Sequence, residues 1–334
     1  MNDISTRILA ALSTGDQWVS SARMVGTLGV SRMTVCKQVH RLQQLGYGIE
    51  AAPRLGYRLT GRTARAVPEE VEPLLRTRVI GRPYQYFAEI DSTNAFLRGR
   101  MDALPEGATV VADSQRGGRG RLQREWFSPP GVNVYLSVLL KPAVSPMLAP
   151  PLSLVAAAAV LRAVHSLGGA EARVKWPNDI LWQGKKLAGI LCEMRAEADR
   201  VQAVILGIGV NANLTAFPET LTRTATSLHE ALGRPVSVPA LTAAILHHLD
   251  EEYASWSRDG LPGSVSFLNR HSMLAGREVS IALLHDEVRG RAECITEDGM
   301  LRLILADGST RDITSGEVQL CRPATTRKRT PRHE

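Results

Sequence analysis

Eleven residues from Arg116 to Trp126, RGGRGRLQREW, hold four arginines and three glycines. Neither a helix nor a strand interior suits that composition, because glycine weakens both and guanidinium groups do not enter a core unpaired. The stretch is therefore expected to be a loop. It falls between two apolar runs, Thr109 to Ala112 and Asn133 to Leu140, whose valine and leucine content predicts strands. The chain must thus build a sheet that carries a cationic, backbone-rich loop. Such a loop can wrap closely around a ligand and neutralise an anion.

A chain of 334 residues with 44% apolar content has room for two or three domains. Its net charge of +7 is unevenly placed: residues 1–65 carry +6, residues 322–334 carry +4, and everything between carries −3. A basic module on a slightly acidic body points to nucleic-acid contact by that module alone. Cys36, Cys192, Cys294 and Cys321 are far apart, without CxxC or histidine at ligand spacing, so neither a zinc site nor a disulfide framework is indicated. A reducing, cytoplasmic setting follows. No signal peptide opens the chain, and the apolar run Leu152 to Leu161 is too short to span a bilayer.

Residues 1–65 show three helical patterns, Ile4 to Ser13, Ser20 to Leu28 and Ser31 to Leu45, parted by Gly15 and by Gly29-Val30. Ser20 and Ser31 suit N-caps, and Gly46 suits a C-cap. Val35, Val39, Leu42 and Leu45 make one apolar stripe on the third helix. Its other face offers Ser31, Arg32, Thr34, Lys37, Gln38 and Arg41. Gly48 to Glu50 and Tyr57 to Leu59 read as a hairpin with Arg54 near its tip. This is a winged helix-turn-helix whose third helix would enter a major groove, with those side chains and Arg54 meeting bases and phosphates. A scaffold for protein contacts is the alternative reading. Gly61 to Pro68 is polar and contains glycine and proline, and marks the boundary.

From 66 to 270 strands and helices alternate. Strands are predicted at Tyr86 to Ile90, Ala172 to Lys175, Leu187 to Met194 and Val201 to Val210, with helices at Asn94 to Arg98, Pro151 to Leu167 and Leu241 to Trp256. Ile180 to Trp182 and Lys186 to Ile190 flank Gln183-Gly184-Lys185 as a hairpin. The class is α+β on a largely antiparallel sheet. No GxxxxGK[ST] occurs, so a nucleotide would not be held by a P-loop. Gly207-Ile208-Gly209 marks close backbone approach in a strand. Residues 271–323 alternate as short strands with turns at Glu297-Asp298-Gly299 and Ala306-Asp307-Gly308, a small SH3-like β-barrel. The basic residues 324–334 read as a disordered tail.

With DSTN at Asp91 to Asn94, KWPND at Lys175 to Asp179 and KKLAGILCE at Lys185 to Glu193, the arginine loop resembles the biotin protein ligases, and the motifs stand in that family's order. The resemblance covers nearly the whole chain. It implies a class II synthetase-like catalytic domain that joins biotin to ATP and passes biotin to a lysine of the biotin carboxyl carrier protein of acetyl-CoA carboxylase. By that pattern Ser92, Thr93, Gln115 and the backbone near Arg119 would bind the ureido head, with Arg121, Lys186 and Gly189 completing the biotin site. Arg119, Arg121, Trp126, Lys175, Asn178 and Asn211 would face ATP and the adenylate. Lys186, Arg121 and Asp179 would be catalytic, with a Mg²⁺ accompanying ATP and Asp179 a candidate for metal or acceptor-lysine contact. The winged helix implies a bifunctional member: a biotin-responsive repressor that dimerises on ligand binding and reads operator DNA. One departure stands out. The family loop reads GRGRxGR, whereas Gln123 occupies the last glycine position, which would strain a positive φ by roughly 1 kcal/mol. A ligand-sensing regulator without ligase activity, a lipoate or octanoate ligase, and a ligase whose DNA module has lost its operator are the competing readings.

Overall fold

In the computed structural model, residues 4–13, 17–283 and 286–321 are described. Gly15, read as a break between helices, and the tail 324–334 lie outside them.

The first unit contains α1 (Ile4–Leu12), α2 (Ser21–Leu28), α3 (Arg32–Gln44), β1 (Gly48–Ala52) and β2 (Gly56–Gly61). Ser20 and Ser31 cap α2 and α3 as expected, each accepting a backbone N–H in the first turn. Gly29 ends α2 at φ +68, the left-handed conformation glycine adopts without cost. The cap of α3 is Leu45, with Gly46 one residue beyond at φ +93. Val35, Val39 and Leu42 pack with Ile8, Leu12, Met24 and Tyr47 in a core of its own, and β1 pairs antiparallel with β2 as the wing.

The link is not a loose tether. Val67 is fully buried in the first unit's core, and the Tyr84 hydroxyl donates to the Ala66 carbonyl. Pro68 starts a short helix, α4 (Pro68–Val71), where its missing N–H costs nothing. Glu69 of α4 meets Arg41 at 3.1 Å, while Glu70 accepts from the Tyr47 hydroxyl and from Arg62. Two adjacent carboxylates thereby clamp the first unit onto the second.

The central unit continues with β3 (Tyr84–Phe87), α5 (Thr93–Arg98), β4 (Thr109–Ala112), β5 (Val134–Leu140), α6 (Leu152–Ser166), β6 (Arg173–Lys175), β7 (Asp179–Trp182), β8 (Lys185–Ala196), β9 (Val201–Val210), α7 (Leu228–Leu232), α8 (Val238–Asp259) and α9 (Pro262–Arg270). Its seven-stranded sheet runs β3-β4-β5-β9-β8-β7-β6, parallel only between β3 and β4. The strand predicted at Tyr86 to Ile90 lies two residues earlier: β3 pairs with β4 from Tyr84, and beyond Phe87 only Ile90 bridges, to Gln115. α8 begins three residues before the prediction because Ser237 caps it and Pro239 sits in its first turn. Gln183 and Gly184, both at positive φ, make the two-residue turn between β7 and β8.

The apolar run is α6, and it packs against α8 and the sheet. With the turn before it, the segment Pro146–Ser166 spans 21 residues and is long and apolar enough to cross a membrane, which corrects the length argument made from sequence. Burial decides its place: α6 is a core helix, with residues 154–161 all buried.

The last unit has β10 (Glu278–Ala282), β11 (Glu287–Ile295), β12 (Leu301–Ile304), β13 (Thr310–Ile313) and β14 (Glu317–Leu320), an antiparallel sheet of order β13-β12-β11-β10-β14. It provides the SH3-like unit expected. Trp176 Nε1 donates to the Gly299 carbonyl, fastening this unit to the KWPND corner.

Candidate functional site

A cavity of about 840 Å³ opens on one side of the central sheet and gathers residues from the DSTN turn, the arginine loop, KWPND, β8, β9 and the last unit. That volume suits a ligand of cofactor size.

At one end are neutral polar groups. Ser92 caps α5 by accepting from Ala95 N, and its residue also lines the cavity. The Thr93 backbone N–H donates to Gln115 Oε1 at 2.9 Å, and Thr93 Oγ1 lies 3.1 Å from the same oxygen. Gln115 Nε2 is 3.4 Å from Ser128 Oγ, which donates to the Trp126 carbonyl. Sequence reasoning missed three members behind this wall: Asn94, Ser137 and Glu193. Asn94 Nδ2 donates to Glu193 Oε2 at 2.7 Å, and Ser137 Oγ contacts both Asn94 Oδ1 and Thr93 Oγ1. Asn94 and Glu193 each stood inside a quoted motif, but their pairing across 99 residues has no local signal. Gly207 is glycine because a Cβ there would sit 2.4 Å from Asn94 Oδ1. Gly209 and Gly189 leave room for the Trp126 indole, which would meet their Cβ atoms at 2.5 Å and 3.0 Å. The three glycines thus admit side chains onto the strands, whereas the sequence suggested close approach of another backbone at Gly207 and Gly209.

The arginine loop is a miniature hairpin. Arg119 bridges Glu125, Trp126 N donates to Gly118 O, and Arg121–Gln123 form a 3₁₀ turn at the tip. Leu122 and Gln123 both take positive φ, +55 and +57. The strain foreseen for Gln123 is therefore present in its backbone. Trp126 is half-buried against the sheet, its Nε1 without a partner among the described residues, and Lys186 Nζ lies 5.3 Å from the ring centroid.

The other end is cationic. Arg121 Nη1 donates to Asn178 Oδ1 at 3.0 Å, and Asn178 Nδ2 in turn donates to Ile190 O, so KWPND holds the arginine in place. Lys186 Nζ pairs with Asp179 Oδ1 at 2.8 Å. Burial holds the Lys175 ammonium below the usual lysine range. Asp179 and Glu317 act to raise it, and Lys186 and Arg124 lower it further. Asn211 also lines the cavity, and its Nδ2 donates to the carbonyls of Thr226 at 3.1 Å and Lys186 at 3.4 Å. Across the mouth, Arg124 donates to Glu317 Oε2 at 2.8 Å and joins the loop to the last unit. No role for Glu317 was read from sequence. Burial pushes the Cys192 thiol up to about 12, which leaves it a poor nucleophile.

On the first unit, Arg32 and Lys37 are exposed along α3, and Arg54 stands at the wing tip at φ +67. Ser31 and Thr34 are engaged with each other at the cap. Gln38 and Arg41 turn toward α1: Ser5 Oγ donates to Gln38 Oε1, and Arg41 donates to Ser5 Oγ at 2.7 Å besides pairing with Glu69. Met33, Cys36 and His40 complete the exposed face. Their helical spacing with Arg32 and Lys37 was available in the sequence.

Known proteins carry the same assembly. Residues 86–211 match the Biotin/lipoate A/B protein ligase family, residues 275–320 the biotin protein ligase C-terminal domain, and residues 5–58 a helix-turn-helix domain. The bifunctional ligase/repressor BirA of Bacillus subtilis strain 168 is 34% identical over 309 residues, covering 92% of this chain and 95% of its own. That of Escherichia coli K12 is 29% identical over 96% and 98%. Among solved structures, the biotin protein ligase from Aquifex aeolicus in complex with biotin and ATP superposes with a TM-score of 0.63 at 29% identity, covering 71% of this chain and 97% of that one. With a cavity neutral at one end and cationic at the other, a helix-turn-helix unit clamped to the unit that holds it and relatives matched end to end, this chain belongs to the biotin protein ligases, in their bifunctional ligase/repressor branch.

Proposed function

We propose that the protein joins biotin to ATP as biotinyl-adenylate, transfers biotin to a lysine of a biotin carboxyl carrier protein, and represses transcription through its winged helix when the adenylate is held. The observation that carries the reading is the polarity of this cavity: hydrogen-bonding but uncharged around Thr93 and Gln115, cationic around Arg119, Arg121, Lys175 and Lys186. Biotin has that polarity, with a neutral ureido head and a carboxylate tail. A dithiolane head would leave the Thr93 and Gln115 groups unmet, at roughly 1 to 3 kcal/mol each.

In the first step a carboxylate oxygen attacks the α-phosphorus of ATP, forming a mixed anhydride and expelling pyrophosphate. Two anions must meet, so cations are worth more than a base. Lys186 and Arg121 are placed to face that charge, and Asn178 keeps Arg121 from swinging away. In the second step an acceptor amine attacks the acyl carbon, AMP leaves, and the amine's proton must be taken. Asp179 is the carboxylate for that task, at present held by Lys186. Magnesium fits as a companion of ATP: Asp179 and Glu317 are already ion-paired, so phosphate oxygens with at most Asp179 would hold the ion. When bound it would neutralise charge on the departing pyrophosphate. With ATP and a carrier protein as substrates, the working compartment is the cytoplasm.

Repression follows by linkage. A ligand that orders the arginine hairpin favours whichever state presents that ordered surface, and a dimer places two winged helices on paired half-sites. The test is pyrophosphate release from Mg·ATP with biotin, lipoate or neither, beside sedimentation of the same samples. Release and dimerisation with biotin alone are expected. Release with lipoate instead of biotin, or with neither, overturns the reading.

A further inference from the structure

The long helix α8 runs 22 residues from Val238 to Asp259 and packs against α6. Beside its buried flank, two adjacent histidines, His247 and His248, close on one carboxylate, Glu251. His247 Nε2 lies 3.6 Å from Glu251 Oε1 and His248 Nδ1 lies 3.2 Å from Glu251 Oε2, while the ring centroids stand 5.3 Å apart. One ligand atom from each residue falls within 4.8 Å of the others. Bonds of about 2.0 to 2.2 Å to a tetrahedral ion set its ligand atoms about 3.3 to 3.6 Å apart. Two edges are thus close to formed, and χ2, a soft torsion in histidine, can shorten the third. The nitrogens concerned are the reachable ones. His247 Nδ1 is buried and without a partner among the described residues, which leaves Nε2, the atom beside Glu251, open to an ion. All three side chains keep part of their surface in solvent, at 33%, 23% and 60%. Asp250 is not a further ligand, since its carboxylate accepts the backbone N–H groups of Arg78, Val79 and Ile80.

We propose that His247, His248 and Glu251 form a binding site for a divalent transition ion of the zinc class, apart from the cavity and structural in effect. Two imidazoles and one carboxylate suit zinc, nickel or copper, whereas magnesium and calcium take oxygen ligands. Water would complete the coordination. An imidazole–carboxylate pair on a solvated helix needs no ion; here two imidazoles converge on a single carboxylate whose ion-pair partners among the described residues are those two histidines. No described residue of α8 lines the cavity, so this ion would be distinct from the magnesium that accompanies ATP. Reaching from residue 247 to residue 251, it would staple one turn of α8. That turn contains Asp250, which holds the segment 78–80 leading into β3.

The experiment is calorimetric titration of the full-length protein with ZnCl2 and, separately, with MgCl2, in the absence of biotin and ATP. Exposed Cys36 can hold zinc by itself, so the parent and every variant carry Cys36→Ala. The parent should bind zinc in preference to magnesium. His248→Ala, His247→Gln and Glu251→Gln should each weaken that binding by about 10- to 100-fold, since each removes a ligand. Zinc should also raise the thermal midpoint of the parent and leave that of His248→Ala where it was, because only the folded helix presents the three groups together. If a histidine variant does not fold, Glu251→Gln, a same-size change at an exposed position, carries the test. A parent that takes up no zinc, variants that bind it as tightly as the parent, or magnesium bound as tightly as zinc overturns the proposal. With neither biotin nor ATP present, the outcome is independent of the ligase reading, which stands or falls on pyrophosphate release.

Discussion

Lys175 shows how one residue carries a stability cost for the sake of a site. Its ammonium is more than half buried, and desolvation lowers its pKa in the folded protein. Between that lowered value and the usual lysine value of about 10.4 the unfolded chain binds more protons than the folded one, so the residue's contribution to stability improves as pH rises through the window. Below it the penalty is complete. Lys175→Met should therefore be more stable than the parent at pH 7 in the absence of ligand, with the difference in denaturation midpoint shrinking toward pH 10. A constant difference across that range would show that the cost is one of packing and not of charge. Gln123 is a second residue in an unfavourable setting, at φ +57 beside Leu122 at φ +55. There the cost is in the backbone, and the hairpin contacts from Arg119 to Glu125 hold it.

At the scale of elements, α3 divides its cations between two tasks. Arg32 and Lys37 are exposed beyond the cap, whereas Arg41 is spent on Glu69 and Ser5. Arg32→Ala should weaken operator binding and reduce the slope of log affinity against log salt by about 1. Arg41→Ala should change that slope less and lower stability instead. It leaves the buried Glu69 carboxylate without its partner, at a cost of about 1 to 3 kcal/mol after allowing for the arginine's half exposure. Thermal unfolding and salt titrations of the two variants separate the roles, and identical salt slopes for both would refute the division. The sequence showed Arg32 and Arg41 on one polar face because helical periodicity is local. It could not show Glu69, since nothing in the linker's composition says that α4 folds back on α3. The same limit explains the cavity. Thr93, Arg121 and Lys186 were legible inside motifs and Gln115 just before one, but the Asn94–Glu193 and Ser137–Thr93 contacts join residues 44 or more positions apart. Strand ends slipped for a related reason: pairing partners, not propensity, decide that β3 starts at Tyr84.

At the scale of the whole molecule, the central and last units meet around the cavity, while the first unit is fastened to the central one through α4. Arg124 and Glu317 tie the arginine hairpin to β14, and Trp176 ties KWPND to the turn at Gly299. The first of these is a partly exposed ion pair, worth about 0.2 to 1 kcal/mol. Glu317→Gln should accordingly weaken nucleotide binding by about two- to five-fold at low salt, through the added cost of ordering the hairpin. At about 1 M salt, where the screening length falls to roughly 3 Å, parent and variant should converge. Calorimetric titration with ATP at the two salt concentrations checks this, and a ratio unchanged by salt would mean the pair does not hold the hairpin.

The core helix α6 has a consequence for how the chain is made. Its principal partner, α8, ends at Asp259, some ninety residues after α6 itself ends at Ser166. At translation rates of about 5 to 20 residues per second, roughly 5 to 20 seconds separate their syntheses. Throughout that interval the nascent chain presents a helix apolar enough for a bilayer and still without its cover. The ribosome thus displays, for a moment, what resembles a membrane segment, until the synthesis of α8 supplies its cover.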